Sequence, residues 1–230
     1  CVASELTSPA LVSKFYDPEY EATHDNPDKD PYMAFEKDFM RFMLSDGAGA
    51  VLLQDHPEGT CPLKIEWVDM ISYANELPTC MFMASELQED GRLKSWKEFS
   101  PNEIKERAVL VGKQDIRQLK KYIIKYWVDH IETILAKHHV KAEEIDYIIP
   151  HVSSMFFYEK LNDEIAARNI ALTKEKWFTN LTSVGNIGSA AIYVALEELI
   201  RTKEIKRGNK ILLLVPESGR FSYGTVLLSV

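Results

Sequence analysis

The chain is poor in the residues that build metal sites, disulfide frameworks and membrane spans. Its three cysteines, Cys1, Cys61 and Cys80, have no paired spacing and no Cys-x-x-Cys, which argues against a disulfide scaffold or a zinc site and fits a reducing compartment. No apolar stretch is long enough to cross a bilayer, and neither a start methionine nor a signal peptide is present, so a cytoplasmic protein without membrane contact is expected. Positive charge is in deficit. The 27 Lys and Arg against 35 Asp and Glu leave a net charge of -8, which offers nucleic acid no electrostatic footprint and weakly disfavours an acidic partner unless basic groups cluster locally. His130 and His138 lie eight residues apart on one candidate helix, two turns rather than the four-residue spacing that a helical metal pair needs. Neither a metal nor a cofactor is expected. What the chain has is bulk: 230 residues, 46% hydrophobic, enough for a sizeable core of one or two domains.

Read along the chain, residues 1–6 form a short apolar strand, and 7–40 a polar insertion. The insertion holds Asp17-Pro18, Asn26-Pro27 and Asp30-Pro31, which favour turns and extended segments over a long helix. Its aromatics, Phe15, Tyr16, Tyr20, Tyr32, Phe35 and Phe39, outnumber those of a free linker. A packed lid or subunit contact is expected, with a surface flap closed on its own small cluster as an equal alternative. Asp46 to Ala50 is glycine-rich, but no Lys-Ser or Lys-Thr follows, so small residues for close packing are a better reading than a phosphate loop. Val51-Leu52-Leu53 then reads as a buried strand. Strands are expected across 63–87 and an irregular connection across 92–100.

One long helix is expected from near Pro101 to His138, because Val109, Ile116, Leu119, Ile123, Tyr126, Trp127, Ile131, Ile134 and Leu135 recur at three- and four-residue steps. Ser100 suits its cap, and Lys137, His138 and His139 suit the negative end of its dipole better than a metal. A buried strand over 145–149 ends at Pro150, which puts His151 just past its carboxyl end, where open sheets carry their chemistry. A helix capped by Ser153 runs through Phe157, Leu161, Ile165 and Ala166. A further helix over 187–201 begins with Gly188, Ser189, Ala190 and Ala191, whose poor propensity asks for close packing as its explanation. Strands over 210–215 and 221–230 close the chain.

Four motifs stand in order: Ser45-Asp46-Gly47-Ala48-Gly49-Ala50-Val51, Pro150-His151, Gly185-Asn186, and Glu217-Ser218-Gly219-Arg220-Phe221-Ser222-Tyr223-Gly224. Together they make the chain from about residue 41 onward resemble the C-terminal portion of ketoacyl-ACP synthase III, the thiolase-fold condensing enzymes that start fatty-acid and polyketide chains, although 52–110 align poorly. The resemblance implies an α/β, thiolase-like fold with a mixed sheet and buried helices, layered α/β/α. Residues 1–55 would be the end of the N-terminal half with the lid at 7–40, 56–110 connecting strands, and 111–230 the C-terminal half. It implies a transferase that joins an acyl thioester, on coenzyme A or acyl carrier protein, to a malonyl thioester with loss of carbon dioxide, working as a homo-oligomer.

In that chemistry His151 and Asn186 would donate hydrogen bonds to the enolate oxygen, and the Gly219 amide would serve a second oxyanion hole. Ser218, Phe221, Phe156 and Lys160 would contact substrate. Phe156 stands where the family carries an arginine, and Lys160 is the nearest charge that could replace it. Ser218-Gly219-Arg220 in place of three glycines implies a narrower, more basic pocket and a specialised relative. Such an enzyme needs a nucleophilic cysteine, and none of the three fits its place. The chain therefore reads as one half of an enzyme, inactive alone. A non-catalytic thiolase-fold partner subunit is the alternative, and an acyl hydrolase or transferase without condensation a third reading.

Overall fold

The structure, a computed structural model, describes residues 1–12, 40 and 42–230. Along the chain come β1 (Val2–Glu5), β2 (Gly47–Ala50), β3 (Lys64–Ser72), β4 (Met81–Phe82), β5 (Ser85–Leu87) and β6 (Leu93–Ser95). Then follow α1 (Pro101–Glu106), β7 (Lys113–Gln114), α2 (Ile116–Lys137), β8 (Tyr147–Pro150), α3 (Met155–Ala167), α4 (Leu181–Val184), α5 (Ala191–Thr202), β9 (Lys210–Glu217) and β10 (Ser222–Ser229).

The main sheet has the order β3-β10-β9-β8, antiparallel except for the parallel β8-β9 pair. Its inner strand β9 reads Ile211-Leu212-Leu213-Leu214 without polar alternation because both faces are covered. Leu212 and Leu214 join Ile148, Tyr223 and Leu227 against α2 and α3, while Ile211 and Leu213 join Ile149 and Leu228 against Ala195 and Leu199 of α5. This is the layered α/β/α thiolase-like arrangement with a mixed sheet.

The long helix expected over 101–138 is two helices. Ser100 caps α1 through a capping box with Glu103, and α1 ends by Arg107. Ala108 then takes a left-handed φ of 45°, and Val109, expected on the helical face, is fully buried in the turn that follows. The chain pairs Gln114 with Met81, and Asp115 recaps α2 by accepting from the Gln118 amide. The left-handed Ala108 after α1 and the Asp115 cap before α2 mark the break.

Polar contacts pin α2 to the sheet. The buried Tyr223 hydroxyl donates to the Ile123 carbonyl at 2.9 Å, and burial holds its phenol above the ordinary value. His130 and Thr225, both buried, lie 3.1 Å apart. At the end of α2, His138 stacks on Trp67 at 4.2 Å and reaches the Asp69 carboxylate at 3.1 Å, with Lys137 on the same carboxylate. A ring stack on Trp67 and a hydrogen-bond contact with Asp69 therefore account for His138 beyond any dipole effect.

Two further expectations shift. Val51 still donates to the Cys1 carbonyl, but Leu52 and Leu53 are 81% and 56% exposed, so β2 ends at Ala50 where its ladder with β1 runs out. Helix α3 is preceded by Ser154, not Ser153, and that cap makes no side-chain hydrogen bond. Of the 7–40 insertion only 7–12 and Met40 are described; the expectations for Phe15, Tyr16, Tyr20, Tyr32, Phe35 and Phe39 lie outside the described residues.

The glycines of β2 have a packing role. A Cβ on Gly47 would stand 2.8 Å from two atoms of Ile187, and one on Gly49 would stand 2.6 Å from Tyr193 Cβ on α5. Asp46, beside them, accepts from the Thr7 and Ser8 amides at 2.7 and 2.9 Å, which is a turn contact within the chain rather than a phosphate cradle. Replacing Gly49 by alanine should overpack the β2-α5 contact and lower stability by about 1–3 kcal/mol in urea unfolding; an unchanged midpoint would show that the contact yields freely.

Candidate active site

The parallel register delivers His151. Pro150 pairs with Leu214, and the His151 amide continues the ladder by one bond, donating to the Leu214 carbonyl at 2.8 Å. The side chain thus leaves the sheet at the end of β8. Burial holds its imidazole below the ordinary histidine value, so the ring is neutral at neutral pH and carries one N–H donor.

Asn186 is positioned by two glycines. Gly185 has φ +84°, and a Cβ there would stand 2.7 Å from Ser45 Oγ, so only glycine allows the chain to pass. Asn186 follows in a single bridge to Leu44, its carbonyl accepting from Ser45 N–H at 2.8 Å. Its Oδ1 accepts from the Gly188 amide at 3.2 Å. An amide N–H can only donate, so the oxygen of the carboxamide faces Gly188 and the NH2 group is left to donate elsewhere. Gly188, at φ +54°, leaves room for Glu5, whose Oε1 accepts from Ser189 N–H at 3.0 Å.

His151 and Asn186 line one cavity of about 370 Å³. Its polar groups are these two with Glu5, Gln114, Ser153, Ser189, Glu217 and Ser218, and much of the remaining wall is apolar, including Met40, Leu119, Ile123, Trp127 and Phe157. A half-buried neutral imidazole and a buried carboxamide beside an apolar chamber suit an uncharged substrate oxygen that gains negative charge during reaction.

The other expected site residues are placed less uniformly. Ser218 is on the cavity wall and its Oγ accepts from Gln114 Nε2 at 3.0 Å. The Gly219 amide donates to Glu217 Oε1, and the next amide, Arg220, donates to Glu217 Oε2 at 3.0 Å. The turn's donors are therefore held by a carboxylate of the chain itself. Phe221 is fully buried, set edge-on to Tyr122 at 5.9 Å in the core under the sheet. Phe156 is 51% exposed with Lys160 Nζ 5.9 Å from its ring centre, and it is the neighbouring Phe157 that lines the cavity. None of the three cysteines is on the cavity wall: Cys1 is exposed, Cys61 half-buried, and buried Cys80 donates through Sγ to the Asp115 carbonyl. Among the described residues no group of three or more His, Cys, Asp or Glu is placed to hold a metal, and no helix is long and apolar enough to cross a membrane.

The sequence reading missed Gln114, Trp127 and Glu217 as wall residues. Gln114 was hidden in an assumed helix and Trp127 looked like ordinary apolar periodicity. Glu217 carried a readable signal, an acid directly before a glycine turn.

Two tests follow from this geometry. Replacing Glu217 by alanine should speed hydrogen exchange at the Gly219 and Arg220 amides; unchanged exchange would mean the carboxylate does not hold them. His130, like His151, is held below its ordinary value by burial, so the unfolded chain binds more protons than the folded one below pH about 6.5. Stability should therefore fall as pH drops from 7 to 5, a range above ordinary carboxylate titration. A flat urea midpoint across that range would contradict neutral burial of the pair.

Residues 135–230 match the family model described as 3-oxoacyl-[acyl-carrier-protein (ACP)] synthase III C terminal. A beta-ketoacyl-[acyl-carrier-protein] synthase III of Clostridium perfringens is 29% identical over 82% of this chain and 52% of its own length. That of Aquifex aeolicus is 32% identical over 49% of this chain and 34% of its own. The chain thus spans about half, or less, of the length of the curated relatives it matches. Among solved structures, FabH from Pseudomonas aeruginosa aligns with a TM-score of 0.59 at 19% identity, over 84% of this chain and 53% of that one. An OleA variant of Xanthomonas campestris aligns with a TM-score of 0.65 at 15% identity, over 100% of this chain and 56% of that one. Residues 135–230 are thus similar to the C-terminal domain of ketoacyl-ACP synthase III, and the fold of the chain is thiolase-like.

Proposed function

We propose that this chain supplies the enolate-stabilising part of a decarboxylating Claisen condensation between an acyl thioester and a malonyl thioester. The observation that carries the reading is the placement of a neutral imidazole and an oriented carboxamide on one largely apolar cavity. In the reaction, the bond between the malonyl carboxylate and the α-carbon breaks, carbon dioxide leaves, and the electron pair moves onto the thioester as an enolate. The His151 N–H and the Asn186 NH2 donate to the enolate oxygen. The α-carbon then attacks the acyl carbonyl, and the thiolate that carried the acyl group departs.

No cysteine of this chain lines the cavity, so the thiolate that holds the acyl group comes from another segment or subunit. Acyl-coenzyme A or acyl carrier protein thioesters are the substrates, in fatty-acid or polyketide assembly in the cytoplasm. Exposed apolar side chains on β1 and β3, including Val2, Val68 and Met70, favour a further protein surface there, as in a homo-oligomer. Ser218 belongs to the substrate wall; Gly219 can serve an oxyanion only after Glu217 releases its amide. That occupied turn, with the absence of a cavity cysteine, is what favours the second reading, a non-catalytic thiolase-fold partner.

Decarboxylation separates the two, because it calls on the donors and not on the thiol. Release of carbon dioxide from malonyl-coenzyme A should fall about a hundred- to a thousandfold in His151→Ala and in Asn186→Ala, measured in the protein with its acyl-carrying partner present. Equal release by the His151→Ala variant would remove the donor role and favour the scaffold.

A further inference from the structure

One acidic side chain on the cavity wall, Glu5, takes no part in holding the enolate, yet it is brought to the site from the opposite end of the sequence. Strand β1 carries it there. Glu5 pairs with Gly47, and the strand's exit is fastened by Asp46, which accepts from the Thr7 and Ser8 amides. From that anchored position its Oε1 accepts from Ser189 N–H at 3.0 Å. The space for it exists because residue 188 has no side chain: a Cβ on Gly188 would stand 2.6 Å from Glu5 Cγ.

The amides of this turn are therefore divided between two side chains. Gly188 N–H goes to Asn186 Oδ1 at 3.2 Å, and Ser189 N–H, the next along the chain, goes to Glu5. An asparagine at a helix start does not make this division unaided, because its side-chain oxygen can serve amides two or three residues ahead. A carboxylate is the stronger acceptor, and this one lies at the N-terminal, positive end of the helical run that continues into α5. It takes the Ser189 amide and leaves Asn186 to Gly188 alone. With Glu5 removed, Ser189 N–H competes for Asn186 Oδ1, and any turn of the carboxamide toward it swings the NH2 group out of line.

Resting on the condensation reading, we propose that Glu5 is a positioning residue of the enolate site. By holding Ser189 N–H it keeps Asn186 Oδ1 on Gly188, and so fixes the direction in which the Asn186 NH2 donates. It touches no reacting atom and acts only through Asn186.

Substitutions at Glu5 separate this role from plain stability. Glu5→Ala removes the acceptor, Glu5→Asp keeps the charge but falls short of Ser189, and Glu5→Gln keeps an oxygen at the same reach without the charge. The first readout is the side-chain NH2 signal of Asn186 in the magnetic resonance spectrum of asparagine-labelled protein, assigned by its loss in Asn186→Ala. That signal should move in Glu5→Ala and Glu5→Asp and stay near its natural position in Glu5→Gln. The second readout is decarboxylation of malonyl-coenzyme A with the acyl-carrying partner present. There kcat should fall about ten- to hundredfold in Glu5→Ala and Glu5→Asp with KM unchanged, and Glu5→Gln should restore most of it. An unmoved signal in Glu5→Asp overturns the proposal, as does a Glu5→Gln variant no better than Glu5→Asp; neither result needs Glu5→Ala to fold. A natural protein that releases no carbon dioxide sinks the condensation reading, and the Asn186 signal alone then decides for or against Glu5.

Discussion

The parallel pairing of β8 with β9 is the constraint on which the rest of the site depends. One backbone bond, from the His151 amide to the Leu214 carbonyl, carries that register past Pro150 and sets the imidazole at the sheet's end. A slip of one residue would turn every side chain of the strand to the opposite face. The slip is resisted by burial on both sides, since Ile148 belongs to the cluster under α2 and α3 while Ile149 belongs to the one under α5. The hydrophobic core therefore fixes the position of a polar group that contributes little to it.

Asn186 reaches the same cavity by a different route, through irregular backbone held by small residues. Gly185 passes Ser45, Gly188 makes room for Glu5, and Gly47 and Gly49 let β2 lie against Ile187 and Tyr193. Each contact trades conformational freedom for approach, and the Gly188 amide on Oδ1 sets which end of the carboxamide can donate. The proposed donors are then a strand-end imidazole and a turn-held amide, two groups whose positions are set by independent parts of the fold.

Much of this was legible in the sequence. Apolar runs at 145–149 and 210–215 announced covered strands, and small residues around Asn186 announced a close approach, because burial and steric size act locally on composition. What was not legible depended on distant partners. Gln114 is a β-residue only because Met81 pairs with it, and the apparent periodicity of Val109 with α2 concealed a break marked by the left-handed Ala108 and the Asp115 cap. Leu52 and Leu53 read as buried because apolar residues usually are, yet the ladder beside them stops. Glu217 on the turn amides is a contact between neighbours in sequence, but its consequence, an occupied donor pair, follows only from the geometry of the turn.

The central claim is that His151 and Asn186 act on one oxygen as a unit, and a double-mutant cycle on malonyl decarboxylation tests it most directly. If both hold the same enolate oxygen, the doubly substituted protein should lose hardly more rate than the worse single variant, as cooperating catalytic groups do. Losses that multiply would place the two side chains on separate tasks and contradict the shared oxyanion site.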